Sequence, residues 1–239
     1  MTARYGIYFA PGTDTSLWSK ASAWLGRDAE SGQTLDRPIL PGLGGLDLDA
    51  ITADPRGYGF HATLKAPFEL AAERTEVELL EETRVLSQRT VPFSAHIAPS
   101  ALGPFLAFQI PGVSSEMQAL HALCVCALNG FRAPLTEFDL ARRRKAKLTP
   151  EQDARLVAWG YPYVYEDFRF HMTLTGRIAD EAVRARVLSA LQNYFAPETR
   201  LTTFDSIAVF KQPDRSSPFT ILARFDFIGD TTVAASQAR

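Results

Sequence analysis

The chain is sparing with several things that would place it in a class at once. Two cysteines occur among 239 residues, Cys124 and Cys126. They sit in the apolar stretch Leu123–Ala127, which reads as a helix, where positions i and i+2 face different ways. Neither a disulfide nor a metal pair is expected from them. They read as buried structural thiols, and such cysteine usage points to a reducing cytosol. Charge of one sign is also scarce: 25 Lys and Arg against 27 Asp and Glu leave a net charge of −2. No global basic field argues for bulk nucleic-acid binding. No apolar run approaches the ~20 residues that span a bilayer. The start, Met1-Thr2-Ala3-Arg4-Tyr5-Gly6, lacks the basic-then-apolar layout of a signal peptide. A cytoplasmic location without a membrane partner is expected, and the oligomeric state is left open.

Histidine is scarce too, with four in the chain, yet two of them lie in a repeated pentapeptide. Phe60-His61-Ala62-Thr63-Leu64 and Phe170-His171-Met172-Thr173-Leu174 share the pattern aromatic-His-x-Thr-Leu, spaced 171 − 61 = 110 residues apart. One His-x-Thr in a strand is more often a hydrogen-bonded structural pair. The same pentapeptide inside two similar successions of elements marks a duplication and reverses those odds.

Along the chain, Arg4–Phe9 reads as a strand with Tyr5, Ile7 and Phe9 toward the core and Tyr8 on the other face. A helix follows over about 15–25, then a long Gly/Pro-rich loop at 28–46 that is a candidate lid. A short helix over about 47–53 ends before Asp54-Pro55. The first unit has a strand at 57–67, a helix opened by the capping box Thr75-Glu76-Val77-Glu78, and strands at 91–99 and 105–110. An apolar helix at 114–128, a partly helical 133–147 and a helix opened by Thr149-Pro150 connect the units. The second unit repeats the order: a strand at 166–175, a helix capped by Asp180, and strands at 201–210 and 219–227. The expected fold class is α+β: two pseudo-symmetric lobes, each a mainly antiparallel sheet covered by helices, with a cleft between them. Residues 1–228 then form one bilobal domain, with units at about 57–111 and 166–228, connecting helices at about 112–165 and a flexible tail at 229–239.

Strand alternation puts His61 and Thr63 on one face and Phe60, Ala62 and Leu64 on the other, and treats the second copy likewise. Extending it gives two ladders, Gly59-His61-Thr63-Lys65 and Arg169-His171-Thr173-Thr175, set facing each other. Neither contains a carboxylate. Hydroxyls that donate to phosphoryl oxygens and cations that offset anionic charge suit a phosphodiester. Two imidazoles with ordinary pKa values near ~6.5 divide the proton work, one accepting from the attacking water and the other protonating the leaving alkoxide. The scheme requires no metal and no cofactor, and two histidines with threonines make a poor zinc shell.

The two H-x-[ST]-hydrophobic motifs resemble those of the 2H phosphoesterase superfamily, which includes LigT-like 2′-5′ RNA ligases and RNA 2′,3′-cyclic phosphodiesterases. The wording around them, Arg4-Tyr5-Gly6-Ile7-Tyr8, Tyr58-Gly59-Phe60-His61 and Phe168-Arg169-Phe170-His171, is similar to a bacterial subgroup labelled as phosphonate metabolism proteins. The resemblance covers nearly the whole chain apart from the tail. It implies two α+β lobes about a pseudo-two-fold axis, a metal-independent site, His61 and His171 as acid/base pair, and Thr63 and Thr173 as phosphate donors. Lys65, Arg169 and, at lower weight, Tyr8 join as substrate-binding residues from alternation alone. The subgroup's operon context implies a sugar cyclic phosphate of phosphonate catabolism, such as 5-phosphoribosyl 1,2-cyclic phosphate. RNA-end processing and a non-catalytic phosphate-ligand binder are the competing readings; the expected partner is a small phosphorylated or cyclic-phosphate substrate, with RNA not favoured.

Other features carry two readings each. The basic run Arg142-Arg143-Arg144-Lys145, with Lys147, is a solvated helix face or an anion-binding overhang of the cleft. Tyr161, Tyr163 and Tyr165 are core or stack on a ligand at the cleft mouth. His96 and His121 read as structural or surface residues.

Overall fold

A computed structural model describes residues 2–229. Nine strands are present among them: β1 (Arg4–Phe9), β2 (Ala62–Glu69), β3 (Phe93–His96), β4 (Ala98–Leu102), β5 (Phe105–Gln109), β6 (His171–Thr173), β7 (Leu201–Phe204), β8 (Ser206–Gln212) and β9 (Thr220–Asp226). The helices are α1 (Ser16–Leu25), α2 (Leu48–Tyr58), α3 (Glu76–Gln88), α4 (Ser115–Ala127), α5 (Glu137–Arg144), α6 (Pro150–Trp159) and α7 (Glu181–Tyr194). The fold is α+β, as expected. Apart from Gly229, whose amide donates to the Thr90 carbonyl, the tail expected at 229–239 lies outside the described residues.

Helix starts follow local chemistry. Thr75 and Thr149 form full capping boxes with Glu78 and Gln152, and Asp180 accepts from the Val183 amide. One boundary differs from expectation: α2 runs through Pro55 to Tyr58 instead of stopping before it. Proline has no amide to bond the carbonyl four residues back. That carbonyl, on Ile51, instead accepts the Gly176 amide at 2.7 Å. The freed acceptor thereby ties α2 to the chain just past the second motif.

Seven strands form one antiparallel sheet in the order β4-β5-β6-β2-β1-β8-β9, and β3 pairs with β7 apart from it. The two motif strands are neighbours, joined through the registered pair Ala62–Met172. They lie side by side in one sheet rather than facing each other. On either side of this seam the succession is equivalent: β2-β1-β8 in one half and β6-β5-β4 in the other, with β9 extending an edge. The repeat therefore begins one strand earlier than the pentapeptides suggest, with β1 and β5 as equivalents. Each expected strand after the unit helix is two, broken at Ile97 and at Asp205, because the chain passes there from the small pair β3–β7 into the large sheet. The helix of each unit packs on the hairpin of the other half's sequence: α3 against β8 and β9, α7 against β4 and β5. Neither unit can bury its apolar helix face alone, so the two halves are interlocked.

Phe9, Ala62, Met172 and Phe108 make a row across four strands, and all are fully buried. Large side chains buried in this way stabilise by about 1.5–3 kcal/mol each. The next row, Tyr8, Thr63, His171 and Gln109, is one residue on, so its side chains leave the sheet on the opposite face. The core row thus fixes the level and direction of the candidate site.

Candidate active site

Both histidines are anchored in the same way. Nδ1 of His61 lies 3.1 Å from the Gly59 carbonyl, and Nδ1 of His171 lies 2.8 Å from the Arg169 carbonyl. A carbonyl only accepts, so each Nδ1 carries the proton, which leaves Nε2 of the neutral ring as an acceptor. Nε2 of His61 is 3.3 Å from Oγ1 of Thr63, whose hydroxyl donates to it. Continuing the Ala62–Met172 register sets His61 beside Thr173 and Thr63 beside His171. The structure thus gathers all four motif residues at the seam.

Surroundings differ between the two rings. Tyr8 stacks on His61 with centroids 3.7 Å apart at 14°, and Tyr58 meets it edge-on at 5.4 Å. His61 is 8% exposed, and burial pushes its pKa down to about 3, with a smaller contribution from the neighbouring His171. His171 is only half-buried, with Phe105 edge-on at 5.9 Å, and burial lowers its pKa too. Burial thus favours the neutral form of both imidazoles.

His171 and Thr63 open onto a cavity of about 420 Å³, lined also by Phe105, Arg169, Tyr161 and Tyr163. Arg169 is exposed at this cavity, so alternation placed it where an anion can meet it. Tyr8 is 2% exposed and covers one face of the His61 ring. Lys65 is a correction. The register between β1 and β2 shifts at Leu64, which places Tyr8 opposite Thr63 and Ile7 opposite Lys65. This bulge breaks the alternation. Leu64 and Lys65 are both buried, and Nζ of Lys65 donates to the Val125 carbonyl at 3.2 Å, at the end of α4. Lys65 locks β2 to α4 and does not line the cavity.

His121, on α4, is structural as expected. Its Nδ1–H donates to the Leu64 carbonyl at 2.8 Å, its Nε2 accepts the Tyr165 amide at 3.1 Å, and its ring stacks on Phe168. His96 is exposed on β3. Cys124 is buried but Cys126 is exposed, because positions two apart on α4 cannot both face the sheet. Of the three tyrosines, Tyr161 and Tyr163 line the cavity, while Tyr165 packs on Trp159 and His121. Within the basic run, Arg142 pairs with Asp139 and Arg144 with Asp153, whereas Arg143 lies over the Tyr161 ring at 4.8 Å. The loop at 28–46 lines none of this cavity; Arg186 of α7 binds its Gly42 and Gly44 carbonyls.

Sequence reasoning missed Tyr58, whose ring meets His61 edge-on. The signal was there: an aromatic residue stands three positions before each motif histidine, Tyr58 and Phe168. Among the described residues no group of three or more His, Cys, Asp or Glu is placed to hold a metal ion, and no helix is long and apolar enough to cross a membrane.

Comparison with known proteins gives three findings. Residues 63–220 match the family described as "Protein of unknown function (DUF1045)". Two proteins named ribose 1,5-bisphosphate phosphokinase PhnN are similar in sequence. The one from Janthinobacterium sp. (strain Marseille) is 38% identical over 95% of this chain and 51% of its own length. That from Laribacter hongkongensis (strain HLHK9) is 32% identical over 91% of this chain and 50% of its own. The chain therefore spans about half the length of the curated relatives it matches. Among solved structures, E. coli LigT complexed with 3′-AMP is similar at 12% identity and a TM-score of 0.48, over 95% of this chain and 99% of that one.

Proposed function

The chain belongs to the DUF1045 family, and we propose that it is a metal-independent phosphodiesterase that opens a small cyclic phosphodiester between His61 and His171. The observation carrying this reading is the paired anchoring of the two imidazoles, each with Nδ1–H fixed on the carbonyl two residues back, on neighbouring strands. That arrangement points two Nε2 atoms, rather than two N–H donors, at whatever enters the seam. It suits proton transfer better than simple anion binding, which needs no titrating group.

Two neutral imidazoles supply a base but no acid. The missing proton is taken from solvent as the substrate binds: a phosphodiester anion raises the pKa of both rings by opposing the burial that lowers them. His171, the more open ring, takes it up and becomes the general acid. His61, roofed by Tyr8, takes the proton of the attacking water once the Thr63 hydroxyl has turned from its Nε2 to the phosphate. As the water oxygen bonds to phosphorus, the ring ester bond breaks and the alkoxide leaves with the His171 proton. Thr63 and Thr173 donate to the non-bridging oxygens, and Arg169 balances their charge.

The substrate class follows from two supports. The cavity above the seam is about 420 Å³, of a size for a small molecule. The relatives matching this chain over half their length are named for a ribose bisphosphate, so we assign a phosphorylated ribose bearing a cyclic phosphate. Their kinase activity is not carried over, since only about half of each is matched. The test is His61→Ala and His171→Ala, made separately, on 5-phosphoribosyl 1,2-cyclic phosphate and on an RNA-derived 2′,3′-cyclic phosphate. Each substitution lowers kcat/KM by about 10²–10⁴. Full activity in both variants sinks the mechanism; turnover of the RNA-derived compound alone sinks the sugar assignment.

A further inference from the structure

A second recess lies next to the histidine cavity and shares its wall. Thr63, Ala66 and Tyr161 line the histidine cavity, while Pro67, Phe68 and Gly160, the adjoining residues of the same two segments, line the recess. Five arginines converge on it, Arg4, Arg132, Arg142, Arg143 and Arg215, against the two carboxylates Glu69 and Asp139, an excess of 5 − 2 = 3 positive charges. The carboxylates are already taken. Asp139 pairs with Arg142 and Arg215, and Glu69 with Arg215. Arg4 is held by the Gln212 side chain, and Arg132 by carbonyls at the end of α6.

Arg143 is different. It is half-buried, and among the described residues its guanidinium has no hydrogen bond and no ion pair. It lies over the face of Tyr161, whose ring lines the histidine cavity. A guanidinium drawn out of water and left without a carboxylate is unfavourable by itself, and an anionic ligand relieves it. The enclosed part of the recess measures about 30 Å³, room for one water, so an anion sits at its mouth against Arg143 rather than inside.

We propose that this arginine recess is a subsite for a second anionic group of the substrate, a phosphate monoester carried by the same molecule whose diester lies between the histidines. The inference rests on the site assigned above but not on turnover, so it is tested by binding. Calorimetric titrations compare adenosine 3′-phosphate with adenosine 3′,5′-bisphosphate on the wild type, Arg143→Met and Arg144→Met. The wild type binds the bisphosphate at least about tenfold more tightly. Arg143→Met brings that ratio close to one, whereas Arg144→Met, which breaks a surface pair with Asp153, leaves it in place. Equal affinities in the wild type, a ratio that survives Arg143→Met, or no binding of either compound overturns the subsite. A bisphosphate preference in a protein that opens no cyclic phosphate upholds the subsite and sinks the phosphodiesterase reading instead.

Discussion

The two halves of the molecule carry the same pentapeptide and treat its histidine differently, and the cause lies on the neighbouring strands. In the first half Tyr8 stands opposite Thr63; in the second, Ala107 stands opposite Thr173. Two residues back along the same strands are Gly6 and Phe105. The first half therefore puts its aromatic ring flat on the histidine, at 3.7 Å, and leaves room for it with a glycine. A Cβ on Gly6 would come within 2.3 Å of the Tyr8 ring. The second half offers its aromatic edge-on, at 5.9 Å, and leaves the histidine open. Repeated residues fix where each imidazole is held; unrepeated ones decide how dry it is. A duplicated site thus acquires two chemical roles without any change in the motif.

Removing that difference has the largest expected effect. Tyr8→Ala makes the first half resemble the second. Loss of a buried aromatic ring costs about 3–5 kcal/mol of stability. With its roof gone, the His61 pKa rises from about 3 toward the ordinary value of ~6.5. NMR titration of the imidazole carbons in both proteins checks this directly. An unchanged His61 midpoint would mean that Tyr8 is not what keeps the ring dry.

A smaller effect separates the anchors. Gly59 has φ 75 and ψ 175, a region that only glycine occupies comfortably. A Cβ there would also meet Ala29 at 2.4 Å. Its counterpart Arg169 needs no such conformation, and only its carbonyl matters to His171. Gly59→Ala is expected to lower the unfolding free energy by about 1–3 kcal/mol and kcat/KM on the cyclic phosphate by about tenfold or more. Arg169→Ala keeps the anchor, holds stability within about 0.5 kcal/mol, and raises KM. Denaturant titration with steady-state kinetics distinguishes them; a Gly59→Ala variant with wild-type values on both counts would refute the anchoring role.

Much of this was legible in the residues, and the limits have physical reasons. The pentapeptide, the capping boxes and the α+β class depend on local chemistry and short periodicities, which one sequence displays. Pairing of β2 with β6 depends on two segments 110 residues apart, and alternation within each strand says nothing about whether they face or flank each other. Tyr8 was placed on the correct face, but the stack it forms needs Gly6 beneath it and β1 next to β2. Arg143 could not be singled out from the basic run, since its partial burial over the Tyr161 ring and the ion pairs of Arg142 and Arg144 all depend on tertiary packing. Alternation failed outright at Lys65, because a bulge is a property of two strands together.

Lys65 also gives the smallest and most selective prediction. It has no counterpart lysine in the second half, where Thr175 follows the motif and donates to the Gly176 carbonyl. Burial lowers the Lys65 pKa from 10.5 to about 8. Between those values the folded protein has released the proton and the unfolded chain still holds it. The unfolded state then binds more protons, so stability rises with pH across about 8–10.5, by up to about 1.4 kcal/mol per pH unit. Lys65→Met fills the same space with an apolar chain and removes this rise. It leaves the Val125 carbonyl unpaired, at a cost of about 1 kcal/mol at neutral pH. Since Lys65 faces α4 rather than the cavity, kcat/KM on the cyclic phosphate stays at the wild-type value. Urea titrations at pH 8 and pH 10 with parallel assays test both halves of the statement. A variant that kept the alkaline rise would show that another group produces it, and one that lost activity would return Lys65 to the substrate.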